Sequence, residues 1–177
     1  MFASRTCKWI LAATAGVAVF LGGAGAAQAV LTGQTGGSAI STTIATQTNG
    51  WPLPAASSGV WVNVPGMVRP VTVGSGTTRL LVADYNAESL CTGSGWCSVR
   101  IVAINSAGGV TEFHPQSGTD FAFDSDGDNW SSHSIKRSIR VGAGTWRVQV
   151  QAARVAGSST SPAFRLDEHF FDVDVRV

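Results

Sequence analysis

The stretch Thr145-Trp146-Arg147-Val148-Gln149-Val150-Gln151-Ala152 alternates apolar and polar side chains with a period of two. That period belongs to a strand with one face on a core and the other in water. Phe171, Val173, Val175 and Val177 repeat it against Asp172, Asp174 and Arg176 at the end of the chain. Leu80 to Tyr85 and Val99 to Ile104 are apolar on both parities, as strands covered on two sides would be. Further strands are expected at Val60 to Val64, Val68 to Val73, Val110 to His114, Phe121 to Asp124, Ser134 to Val141 and Ala163 to Asp167. Pro65-Gly66, Gly74-Ser75-Gly76, Gly108-Gly109, Gly142-Ala143-Gly144 and Gly157-Ser158-Ser159 supply turns between them. No helical stripe of eleven residues follows residue 29. Eight to ten short strands at this spacing predict an all-β fold, a two-sheet antiparallel β-sandwich of jelly-roll type.

Upstream of the strands the chain changes character. Arg5 and Lys8 precede an uncharged apolar run from Trp9 to Leu21, then small residues ending in Ala27-Gln28-Ala29. The run is shorter than the ~20 residues a membrane span needs, so residues 1–29 are expected to be a cleavable signal peptide rather than a transmembrane anchor. Residues 30–59, rich in Thr, Ser, Gly and Ala, predict an exposed lead-in with one strand around Ala39 to Thr46. The domain proper is expected over 60–177. After the signal the chain carries ten basic and eleven acidic residues, without the clustered Lys and Arg that nucleic acid requires. The expected setting is extracellular, and the expected partner an extracellular ligand, with polysaccharide as one candidate.

Cys91 and Cys97 are the only cysteines after the signal, and in an exported chain they are expected to form a disulfide. The Gly- and Ser-rich segment around them suggests the tip of a β-hairpin. Their closeness argues against a bridge between two sheets. Several pieces, Thr78-Arg79-Leu80-Leu81-Val82, Trp96-Cys97-Ser98-Val99-Arg100-Ile101, His133-Ser134, and Ala143-Gly144-Thr145-Trp146 with Phe164-Arg165-Leu166-Asp167, resemble secreted bacterial β-sandwich proteins over most of residues 60–177. The resemblance implies the fold and export, and it implies no activity.

Candidate chemistry is sparse. Asp124, Asp126 and Asp128 alternate in Asp124-Ser125-Asp126-Gly127-Asp128-Asn129 and could wrap a calcium ion. The twelfth position is Ile135 instead of a bidentate Glu, and a solvated turn is the plainer reading. Asp167-Glu168-His169 is a dense polar cluster, but the inward parity of Phe164 and Leu166 disagrees with that of Phe171 and Val173. A β-bulge there explains the slip and predicts an exposed polar kink. His114, His133 and His169 lack a G-x-S-x-G or H-E-x-x-H context, so no catalytic residue is assigned. A hydrolase site assembled from distant loops is the rival from another class, and a purely structural envelope protein is a third. Trp51, Trp96 and Trp130 are the candidate aromatic platforms for a ligand, with core packing as the plainer alternative for each. Together these features predict a non-enzymatic binding or surface module, of which a calcium-dependent carbohydrate module is the sharpest version.

Overall fold

The computed structural model describes residues 37–54, 59–124, 129–156 and 163–177. Seven strands occur among them: β1 (Ala39–Gln47), β2 (Trp51–Pro52), β3 (Val62–Thr92), β4 (Gly95–Asn105), β5 (Val110–Glu112), β6 (Ser131–Ala156) and β7 (Ala163–Arg176). All pairings are antiparallel, in the order β1-β7-β3-β6-β4-β5, with β2 also on β7. The all-β antiparallel expectation holds.

Where many short strands were expected, a few long ones occur. β3 absorbs three predicted strands, and β6 and β7 absorb two each. Of the Gly and Pro clusters read as turns, Pro65-Gly66, Gly74-Ser75-Gly76 and Gly142-Ala143-Gly144 are interruptions inside a strand, Gly108-Gly109 lies in the turn between β4 and β5, and Gly157-Ser158-Ser159 lies outside the described residues. The β3–β6 ladder shifts register between Asn63 and Val68 and again between Val73 and Thr78. At the second shift Gly76 and Gly144 have φ of +69° and +141°, conformations that L side chains resist. Such bulges bend a strand without ending it. Phe121 to Asp124 forms only an isolated bridge, Ser98 to Ala122.

The bends divide one continuous sheet into two halves. One half holds β1, β7, the end of β3 and the start of β6. The other holds the start of β3, the end of β6, β4 and β5. Side chains from both halves, among them Tyr85, Phe171 and Val173 from the first and Val99, Ile101 and Val148 from the second, belong to one buried core. The sheet therefore closes over itself as a sandwich.

Three expectations change. β3 and β4 do not pair as a hairpin: Cys91 lies beside Phe164 of β7 and Cys97 beside Arg154 of β6. Thr92 to Gly95 is thus an arch from one half to the other, and the Cys91–Cys97 disulfide, with Cα atoms 6.0 Å apart, ties the halves together. Short sequence separation brings two sheets together here because the chain changes layer instead of turning back. Gln149 and Gln151, expected on a wet face, are buried. Gln149 Nε2 donates to the carbonyls of Val64 and Met67 in the first bulge, and Gln151 Nε2 donates to Asn63 Oδ1. Finally, the strand expected around Ala39 to Thr46 is present as β1, but the lead-in is not wholly exposed: β1 pairs with β7, with a register shift between Ala39 and Ser41, and buries Ala45, β2 also pairs with β7, and Leu53 joins the core.

Candidate functional site

The slip foreseen in β7 is present. Asn86 pairs with Phe170 but Glu88 pairs with Asp167, so β7 carries one extra residue, and Glu168 takes the left-handed φ of +48°. Phe164, Leu166, His169 and Phe171 consequently all point into the core. His169 was expected at an exposed kink. It is only 2% exposed, because the extra residue reverses its parity.

Inside, His169 joins an aromatic cluster. Its Nδ1 lies 2.8 Å from the Tyr85 hydroxyl, and the Tyr85 ring packs on Phe123 and Phe171. His133 packs on Phe123, with Nδ1 3.0 Å from Ser89 Oγ. Burial holds the His169 imidazole below its ordinary pKa, partly offset by the nearby Asp167 carboxylate, and pushes the Tyr85 phenol well above its own. These histidines are packed among aromatic rings.

Outside, the bulge opens a cleft of about 760 Å³ lined by Asn86, Ala87, Glu88, Ser132, His133, Ser134 and Glu168. Strand pairing sets its walls in three cross-strand rows. Phe170, Asn86 and Ser134 form one row, Asp167, Glu88 and Ser132 the next, and Arg165 with Leu90 continues toward Trp130. Trp130 is 40% exposed, with the Arg165 guanidinium 5.7 Å from its ring centre, and Phe170 is 37% exposed. Two exposed aromatic rings thus stand on the face where carboxylate, amide and hydroxyl groups line the cleft. Farther along the face Asp172 stands opposite Asp84. Its partial burial, then Asp84 and Asp174, raise its pKa, while hydrogen bonds from Thr42 and Arg176 lower that of Asp174.

The residues singled out as aromatic platforms separate. Trp130 is exposed on this face. Trp51 packs against the core, and Trp96 is half-buried with its indole N–H donating to Thr119 O at 2.7 Å. Asp126 and Asp128 lie outside the described residues. Asp124 has a carboxylate oxygen within 4.8 Å of the Cys91 and Cys97 sulfurs, which are bonded to each other. Sequence reading missed Phe170, Asn86 and Glu88 as a group. The parity conflict in β7 was the available signal, since the same slip that buries His169 turns Phe170 outward.

Comparison with known proteins gives a distant outline. No family model matches, and no curated protein matches. Among solved structures, the infectious bursal disease virus Gt strain aligns at 8% identity and a TM-score of 0.45, covering 78% of this chain and 34% of that one. A carbohydrate binding module from Cellvibrio mixtus lichenase 5A, solved with cellotriose, aligns at 14% identity and a TM-score of 0.29, covering 79% of this chain and 98% of that one. The chain spans about a third of the length of the viral protein it matches. Among the described residues no helix is long and apolar enough to cross a membrane.

Proposed function

We propose that this chain is a secreted, non-catalytic binding module whose outer sheet face at the β7 bulge takes a polysaccharide. The observation that carries the reading is the pair of exposed rings, Trp130 and Phe170, on the face whose cleft is lined by Asn86, Glu88, Ser132, Ser134 and Glu168. Sugar rings offer an apolar C–H face and a rim of hydroxyls. Aromatic side chains cover the first, and carboxylates, amides and hydroxyls exchange hydrogen bonds with the second. An open, polar cleft suits a chain that passes across the surface better than a small apolar ligand, which favours an enclosed pocket.

The test is a glycan array and polysaccharide pull-down with the mature protein, with and without calcium. Binding is expected, and Trp130→Ala and Phe170→Ala should each weaken it roughly tenfold, about 1.4 kcal/mol, while leaving the melting temperature nearly unchanged. Loss of binding on chelation would join the Asp124 to Asn129 loop to the site as a calcium ligand. Failure to retain any polysaccharide, or retention indifferent to both aromatic substitutions, would remove this face as the binding surface.

A further inference from the structure

We infer that the polysaccharide taken by this face carries free amino groups, its units being 2-amino-2-deoxy sugars in their cationic form rather than neutral or acidic sugars. The inference rests on the reading of the β7 bulge as the binding face and adds the charge of the ligand. Trp130 and Phe170 give the face its sugar platforms, and the row between them carries the charge. Glu88 and Glu168 both line the cleft, and Asp167 stands beside Glu88 in the same cross-strand row. The bases near this row are engaged elsewhere. Lys136 pairs with Asp84 at 3.3 Å, Arg176 pairs with Asp174 at 2.7 Å, and the Arg165 guanidinium lies over the Trp130 ring. Among the described residues neither Glu88 nor Glu168 takes part in an ion pair. Segments 55–58, 125–128 and 157–162, outside the described residues, contain no Lys or Arg that could supply one.

Glu168 is also the one non-glycine residue with a left-handed φ among the described residues, at +48°. Glycine takes that conformation at less cost, yet a carboxylate stands there on the cleft wall. Unpaired carboxylates in one cleft repel a uronate or sulfated chain. From a neutral chain they gain only hydroxyl hydrogen bonds, which water also offers. A sugar ammonium differs from both. It is bonded directly to the ring, so a ring stacked on Trp130 or Phe170 brings its charge to the carboxylates of the intervening row, where the hydrogen bonds are charge-assisted. Acetylation of the same nitrogen removes the charge and leaves the ring unchanged.

Titration calorimetry of the mature protein with hexamers of glucosamine, glucose and N-acetylglucosamine, all with the same β-linkage, compares ligands that differ at one carbon. It is run at about pH 6, where an amine is protonated, and with a chelator present so that no metal bridges carboxylate and sugar. The glucosamine hexamer should bind roughly ten- to a hundredfold more tightly than the other two, and its advantage should shrink as salt is raised. Glu88→Gln combined with Glu168→Gln should remove most of that advantage. The affinity for the glucose hexamer and the melting temperature should stay nearly unchanged, since neither side chain has an ion pair to lose. Equal binding of the glucose or N-acetylglucosamine hexamer would overturn the inference and leave the binding face standing. So would retention of other glycans through Trp130 and Phe170 with no binding of the glucosamine hexamer, or binding of that hexamer only when calcium is restored. A lysine hexapeptide that displaces the glucosamine hexamer at equal concentration would overturn it as well, because charge without a sugar ring would then suffice. No binding of any glycan would remove both the inference and the face.

Discussion

Tyr85 and His169 show how much one inserted residue decides. The bulge turns an imidazole into an apolar core, where it is tolerated because the Tyr85 hydroxyl meets Nδ1 at 2.8 Å. Removing one partner strands the other without water, at a cost of about 1–3 kcal/mol, whereas replacing both with apolar rings costs much less than two such losses. Tyr85→Phe should therefore destabilise by that amount in chemical denaturation, and Tyr85→Phe with His169→Phe should lose less than the sum of the single variants. Because His169 binds a proton less readily when folded than the ordinary value of 6.5, the unfolded chain takes up that proton first as pH falls. This contribution makes stability decline as pH drops below about 6.5, and the decline should be shallower in His169→Phe. Asp172 has the opposite sign. Its carboxyl is held above the ordinary 3.8 by burial and by Asp84 and Asp174, so the unfolded chain releases this proton first and stability falls as pH rises from about 3.8 through the raised folded value. Asp172→Asn should raise the neutral-pH melting temperature slightly, by less than about 1 kcal/mol in stability, and the gain should vanish in acid.

Among the elements, β3 and β6 carry the architecture, and their bulges need support. The first β3 bulge leaves the carbonyls of Val64 and Met67 facing inward, and the buried Gln149 side chain donates to both. Gln149→Leu is close in size yet removes both donors, so it should destabilise by about 1–3 kcal/mol, measured by urea titration. The arch from Thr92 to Gly95 has a different support. Cys91 and Cys97 close a loop of roughly seven residues, for which the chain-entropy account gives about 2 kcal/mol. Replacing both by Ser should lower the denaturation midpoint accordingly, and an unchanged midpoint would show that the arch holds without its staple.

For the whole molecule, the two longest strands run through both halves, so neither half has a complete set of partners without the other. Unfolding should therefore be a single transition. Fluorescence from Trp96 and Trp146 and far-ultraviolet circular dichroism should report the same melting curve. Two separated transitions would mean that the halves are independent units. Amide exchange should be slowest where β3 and β6 are flanked on both sides, around Leu81 to Tyr85 and Val148 to Val150.

What the sequence determined by itself was strand character, antiparallel all-β class, the disulfide pair and the β7 slip. Each is local: period-two alternation, a count of two thiols, a parity conflict between Leu166 and Phe171. What only the tertiary structure decided was continuity and facing. Gly74-Ser75-Gly76 serves equally as a turn or as a bulge, and the choice depends on whether Val73 and Thr78 meet the same neighbour, β6, which they do. Gln149 reads as a solvent residue until the bulge carbonyls of a segment 82–85 residues away in sequence close over it. The grouping of Trp130, Glu88 and Phe170 likewise rests on the register of β6, β3 and β7. Alternation along a strand states which face a side chain takes, but the residues that share that face come from strand pairing, and pairing is settled by long-range burial.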